Sequence, residues 1–313
     1  MRAPILAVML LAMGAPAAAQ QLAQYSQYVF NQFSINPAVA GSKDCIDVRL
    51  GYRKQWLNFP GQPTTAWASL NGAIRPKGKP YMANKHGVGA FVESDNAGNW
   101  GYTRFVLAYA YHMRMSQETY LAFGVFGGAE QIKLNVGEVT LTDYDDPAID
   151  GRASVVVAPE ITPGIFLYGK KGWGGLAMHH ALGNEIDGIG LESRLARHFL
   201  MSGGYRHVLS KKTSLSPSAM MKFAGGAPMA LDINAMIEWN RTIGLGAGYR
   251  GGDALVLMMK LAFLKYFQFG YSYDVTTSKL RMGGSNTHEI MLGIIPCGKD
   301  DLKKKMINCP AFD

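Results

Sequence analysis

The sequence predicts an all-β fold: a transmembrane antiparallel β-barrel of roughly fourteen strands with an N-terminal periplasmic segment. Three observations predict it. Stretch after stretch alternates apolar and polar residues with the period of a strand. Beyond the first nineteen residues, every apolar run is cut within a few positions by Gly, Lys, Arg or Asp, so a helix of about 20 apolar residues has no place to form. The chain also opens with an export leader.

Residues 1–19 read as that leader. Arg2 supplies the positive start, 5–13 the apolar run and Ala17-Ala18-Ala19 the small-residue cleavage site before Gln20. The run is too short to span a bilayer as a helix. Residues 20–44 form an aromatic and polar preface, placed either in the periplasm or inside the barrel as a plug. The barrel itself takes 45–296, and 297–313 forms a C-terminal periplasmic tail carrying Lys299, Lys303, Lys304 and Lys305.

Within the barrel, strands are expected at 45–57, 64–74, 86–95, 101–115, 119–131, 155–168, 173–182, 194–208, 214–224, 229–240, 242–250, 254–264, 266–275 and 287–296. Their faces can be assigned. Over 103–113, Phe105, Leu107, Tyr109, Tyr111 and Met113 share one face, while Arg104, Val106, Ala108, Ala110 and His112 share the other. Leu255, Leu257, Met259, Leu261 and Phe263 oppose Lys260 and Ala262, and Phe267, Phe269, Tyr271 and Tyr273 oppose Gln268, Gly270, Ser272 and Asp274. The second face is often small, with many Gly and Ala, which suits a partly filled lumen behind a lipid-facing exterior. Trp56, Trp67, Trp100, Trp173 and Trp239 fall toward strand ends, where interfacial girdles are expected.

An even strand count returns both termini to one side. With the first strand running outward, the inward connections hold Arg75, Lys77 and Lys79, then Lys170 and Lys171, Lys211 and Lys212, Arg241 and Lys265. The outward ones hold Glu138, Asp143, Asp145, Asp146 and Asp150, then Glu185 and Asp187, then Asp253. Basic turns thus alternate with acidic loops. The longest connection, 132–154, falls outside, as outer loops should.

The formal charge is +8. An exported chain with its Lys and Arg dispersed between strands is not expected to bind nucleic acid. No catalytic constellation is present: Gly-x-Ser-x-Gly and His-Glu-x-x-His are both missing. No enzyme activity and no cofactor is expected. Gly244, Gly246 and Gly248 lie within an alternating strand, without the strand-turn-helix setting a phosphate loop needs. Asp143, Asp145, Asp146 and Asp150 fail the calcium-loop spacing at Pro147, and read as a solvated loop. His179 and His180 are expected on opposite faces of a strand, so no metal site is expected there.

Cys45, Cys297 and Cys309 show no metal-binding spacing and belong to a compartment that permits disulfides. In a closed barrel Cys45 and Cys297 lie near one another at the seam between first and last strands. Cys45–Cys297, Cys45–Cys309 and Cys297–Cys309 all remain open, as does the absence of a bridge.

Gln24-Tyr25-Ser26-Gln27-Tyr28-Val29-Phe30-Asn31, continuing through Asn36-Pro37-Ala38 and Ala40-Gly41-Ser42, is similar to the opening motif of the PorP/SprF family. These are membrane proteins of the type IX secretion and gliding systems of Bacteroidetes-type bacteria. Arg53, Gln55 and Trp56, with Gly61-Gln62-Pro63-Thr64-Thr65, resemble the family's second block. Tyr271-Ser272-Tyr273-Asp274 and His288-Glu289-Ile290 resemble its closing strands, and Cys309-Pro310 its ending. Val39 departs from the usual aromatic, and Phe312-Asp313 ends one residue beyond the typical terminus. The resemblance implies a non-enzymatic component of the cell outer membrane. It implies partners among the type IX machinery and secreted cargo bearing a C-terminal sorting domain, gliding adhesins included, beside outer-membrane lipid. The motif residues Gln24, Tyr25, Ser26, Gln27, Tyr28, Phe30, Asn31, Asn36, Pro37, Ala38, Gly41, Arg53, Gln55 and Trp56 are the candidates for partner binding. A channel for small solutes is the alternative.

Overall fold

A computed structural model describes residues 22–43, 45–74, 84–135, 154–186, 193–264, 266–282 and 286–296. The leader 1–19, the tail 297–313, Cys297, Cys309 and the acidic run 143–150 lie outside the described residues.

Fifteen strand segments make one antiparallel sheet. They are β1 (Asp47–Lys54), β2 (Thr64–Ile74), β3 (Lys85–Ala97), β4 (Trp100–Arg114), β5 (Thr119–Leu134), β6 (Ser154–Gly169), β7 (Gly172–His179), β8 (His198–Tyr205), β9 (His207–Val208), β10 (Thr213–Ala224), β11 (Ala230–Trp239), β12 (Ile243–Arg250), β13 (Ala254–Phe263), β14 (Phe267–Thr276) and β15 (Thr287–Ile294). Each pairs with its neighbour, and β1 closes on β15 with Val48 opposite Ile294 and Lys54 opposite His288. The segments β8 and β9 are one wall strand, since both pair with β10. The ladder breaks at Tyr205 and Arg206, which lie opposite Pro217 and Ser216 of β10, and Pro217 has no N–H to give it. The result is the expected closed barrel of fourteen walls.

The sheet is inside-out relative to a soluble sandwich, because lipid replaces water outside. Leu107 is 58% exposed and Leu257 56%, while Arg104, His112 and Lys260 are buried on the opposite faces of the same strands. A charge facing hydrocarbon costs about 2–4 kcal/mol at mid-membrane. The alternation read along β4, β13 and β14 therefore translates directly into outside and inside.

One mouth carries short turns, 115–118, 170–171, 209–212 and 240–242, together with 75–84. The other carries the longer 55–63, 135–153, 180–197 and 277–286, with the short 98–99, 225–229 and 251–253 between them. The basic turn residues Lys170, Lys171, Lys211, Lys212 and Arg241 sit at the short-turn mouth. There Lys170 Nζ lies 2.8 Å from Glu118 Oε1 and holds that carboxyl below the ordinary carboxylate range.

Two expectations are corrected. Trp67 and Trp173 face the interior rather than a lipid girdle. Each covers a cross-strand glycine: Trp67 lies opposite Gly51 and Trp173 opposite Gly204. A Cβ at Gly51 would stand 2.1 Å from the Trp67 ring, so the indole occupies the space that glycine leaves. His179 and His180 are both buried inside. His180 has φ 52°, which ends the strand and turns the second ring inward with the first.

Candidate functional site

The preface 20–44 had two expected places, below the barrel or within it. Its described part, residues 22–43, runs through the interior from the long-connection mouth to the short-turn mouth. Nearly all of it from Tyr25 onward is buried. Two different kinds of contact hold it.

At the long-connection mouth the contact is electrostatic. Ser26 Oγ donates to Asp274 Oδ2 at 2.6 Å and accepts from Arg53 Nη1 at 2.5 Å and Arg250 Nη2 at 2.9 Å. The backbone N–H groups of Ser26 and Gln27 donate to the two oxygens of Glu289, at 2.7 and 3.2 Å. Gln27 Nε2 donates to the Glu289 carbonyl at 3.0 Å. Arg53 bridges Asp274 and Glu289, each at 3.0 Å, and Arg250 reaches Asp274 at 3.2 Å. Lys222 and Asp232 extend the chain of charge at 2.9 Å. These charges come from six different strands, and the segment's Ser26 and Gln27 meet those of four of them, β1, β12, β14 and β15. Buried ions tolerate this only when each is paired and hydrogen-bonded.

Deeper in the barrel aromatic packing takes over. Tyr25 meets Trp67 edge-on at 6.1 Å, and Phe33 meets Phe126 at 5.2 Å. Lys260 Nζ lies 5.3 Å from the centroid of Phe30. Tyr28 Oη donates to Ser218 Oγ at 3.2 Å.

The Asn36-Pro37-Ala38 motif is then explained atom by atom. Asn36 caps the short 3-10 helix Pro37–Val39 by accepting from the Ala38 N–H at 3.0 Å. Its amide donates to the carbonyls of Ile165 on β6 and Leu176 on β7, at 2.9 and 3.3 Å. Pro37 occupies the first helical position, where no N–H is needed. Ala38 and Ala40 press on the wall: a Cβ at Gly124 would lie 2.4 Å from Ala38 N, and one at Gly87 1.8 Å from Ala40 O. Gly41 has φ +69° and its own Cβ would meet Gly87 Cα at 2.7 Å. Imidazoles and an ammonium anchor the segment's carbonyls: His179 to Ile35 O at 2.8 Å, His112 to Ala40 O at 2.7 Å, and Lys85 to Ser42 O at 3.0 Å.

Of the motif residues, Gln24 lies at the apolar cavity described below, and Asn31 precedes the one-turn helix Gln32–Ile35. Gln55 and Trp56 lie just past β1, away from the segment's anchors; the Gln55 N–H donates to Pro63 O and the Trp56 N–H to Thr287 Oγ1. The anchoring histidines and Lys85 carried no motif, and Arg250 lies within 246–253, a stretch that resembles a later strand of the family. Their signal is a lone charge or imidazole on the inner face of an otherwise apolar strand. Cys45, beyond the segment, is disulfide-bonded, and both other cysteines lie outside the described residues.

A small cavity of about 40 Å³ opens beside the segment's start, lined by Leu22, Ala23, Leu200, Met220 and Phe223 with Lys222 at its edge. On the neighbouring wall, the β6–β7 ladder ends at Gly164–Ala177, while β6 continues back to Ser154. Ala181 N–H donates to Ile161 O and Asn184 Nδ2 to Pro159 O, so the 180–186 stretch covers part of this edge.

The family described as type IX secretion system membrane protein PorP/SprF matches residues 17–294. No curated protein matches the chain. Among solved structures, the toluene transporter TbuX of Ralstonia pickettii is similar over 83% of this chain and 91% of its own, at 12% identity and a TM-score of 0.49. The monoaromatic hydrocarbon channel CymD is similar over 91% and 95%, at 10% identity and a TM-score of 0.47. A FadL homologue of Pseudomonas aeruginosa covers 85% and 92%, at 12% identity and a TM-score of 0.45.

Proposed function

The chain belongs to the type IX secretion system membrane protein PorP/SprF family, and from that premise we propose that it supports export or surface attachment of cargo proteins, gliding adhesins among them, without enzymatic chemistry of its own. It is an outer-membrane barrel. The observation that carries the reading is the occupied interior: residues 22–43 fill the lumen through buried ion pairs and close packing, which suits a scaffold better than an open pore. Recognition then falls to the rim and to an exposed backbone edge.

The upper part of β6 offers such an edge. Among the described residues, 154–158 has a ladder partner on β5 only. An extended segment of a cargo's C-terminal sorting domain can add there as a strand, its backbone bonding the edge and its alternate side chains meeting Val155 and Val157. The secretion machinery is the other proposed partner, docking at the basic short-turn mouth. Removal of the protein from cells tests the reading. Cargo with a sorting domain is expected to be lost from the surface while other outer-membrane barrels stay at normal levels; cargo display unchanged by the deletion contradicts it.

The apolar cavity beside Leu22 favours a second reading, a channel for small apolar solutes that opens when the segment shifts. It requires uptake of such solutes to fall on deletion while cargo display stays intact.

A further inference from the structure

A second buried polar cluster lies near the long-connection mouth, and neither reading above uses it. Glu130 on β5, Glu160 on β6 and His180 just past β7 bring one potential ligand atom each within 4.8 Å of the other two. None of the three is more than 1% exposed. His180 Nε2 stands 3.3 Å from Glu130 Oε2. That is about the edge, ~3.3 Å, of a tetrahedron with ligands 2.0–2.1 Å from its centre.

The surroundings fix these groups in a ligating posture. Tyr102 Oη donates to Glu130 Oε2 at 3.0 Å. Thr162 Oγ1 and the His180 N–H both donate to Glu160 Oε1, at 2.5 and 3.1 Å. His180 Nδ1 lies 3.2 Å from the Ala196 carbonyl, so the Nδ1 proton faces that oxygen and Nε2 is turned toward Glu130. Glu130 Oε1, Glu160 Oε2 and His180 Nε2 are then left without a hydrogen-bond partner, although fully buried. His180 Nε2 and Glu130 Oε2, 3.3 Å apart, are held together by a shared proton or by a cation between them, and only a metal ion would reach Glu160 as well. The nearby Arg104 is turned elsewhere, to His179 Nδ1 at 2.9 Å and Glu93 at 3.8 Å. Glu93, Glu130 and Glu160 gather around that one guanidinium, and buried carboxylates of this kind are either protonated or matched by cations.

We infer that Glu130, Glu160 and His180 bind a divalent transition-metal ion. One imidazole and two carboxylates suit Zn²⁺, whereas Ca²⁺ takes six to eight oxygens. His198 crosses the His180 ring edge-on at 5.6 Å, and its Nδ1 shares the Ala196 carbonyl. It is a further imidazole beside the cluster. Because His180 begins the 180–197 connection, the ion ties that connection to β5 and β6. It therefore governs how firmly 180–186 covers the β6 edge.

The test uses the full mature chain, untagged and folded in detergent, stripped with EDTA and titrated calorimetrically with Zn²⁺ and separately with Ca²⁺. One Zn²⁺ per chain is expected, with Ca²⁺ binding at least 100-fold weaker, and zinc absorption spectra showing nitrogen and oxygen ligands only. Glu160→Gln and His180→Gln should each weaken Zn²⁺ at least 100-fold, and Thr162→Val about 10-fold. Heat-modifiable migration in gels verifies that each variant retains its barrel. Zn²⁺ should also slow proteolysis within 180–197 in the wild type, a readout that needs no variant. Equal affinity for Ca²⁺, an adventitious ion only (weak, non-stoichiometric zinc), or zinc binding unchanged in folded Glu160→Gln and His180→Gln would each overturn the assignment.

Discussion

The internal segment is held in two unlike ways at its two ends. At Ser26 and Gln27 the wall supplies charge: Arg53, Arg250, Asp274 and Glu289 converge on a hydroxyl and two N–H groups. At Asn36 to Gly41 the wall supplies absence. Gly87 and Gly124 withdraw their side chains so that Ala38 and Ala40 can approach backbone to backbone. A charged seat is specific and fails when one partner is removed. A steric seat carries little energy in any one bond, yet it admits no added atom. Together they hold a segment of irregular backbone inside a membrane protein, with wall groups bonded to the Ser26 and Gln27 N–H groups and to the Ile35, Ala40 and Ser42 carbonyls, which lipid itself cannot do.

Four substitutions sharpen this contrast. Arg53→Ala should have the largest effect, because it strands Glu289 as a buried carboxylate and leaves Asp274 with Arg250 as its cation. A loss of about 3–5 kcal/mol is expected in urea unfolding, accompanied by ion conductance as the segment loosens. Leu257→Arg, on the outer face of β13, should cost about 2–4 kcal/mol. It should do so without opening a pore, which separates wall stability from segment seating. Gly87→Val should cost about 1–3 kcal/mol by overpacking and, like Arg53→Ala, raise conductance. If Gly87→Val is as stable as wild type, the steric seat is wrong. Lys170→Ala breaks only an exposed pair with Glu118, and no measurable shift of the unfolding midpoint is expected.

The same contrast marks what could be read from the sequence. Inner and outer faces of β4, β13 and β14 were legible because lipid penalises charge, so one Arg104 or Lys260 in an apolar alternation assigns the whole strand. The even strand count and the basic short turns followed from the same alternation. Trp67 and Trp173 were misread because their place depends on cross-strand register with Gly51 and Gly204, and register is not visible along one strand. His180 was misread because a single left-handed residue breaks the period that the assignment relied on. The motif residues Ser26 and Arg53 could be singled out as a resemblance. Their meeting over Asp274 and Glu289 depends on barrel closure between β1 and β15.

The central claim is that residues 22–43 occupy the barrel, and thiol accessibility at Ser34 tests it most directly. Ser34→Cys is nearly isosteric and lies in the filled interior, 1% exposed, whereas Lys211→Cys lies on an exposed turn. With wild-type labelling subtracted as background, a bulky water-soluble maleimide should label Lys211→Cys at once, and Ser34→Cys only after unfolding. Equal labelling of both positions in the folded, heat-modifiable protein would show the interior to be open and contradict the account.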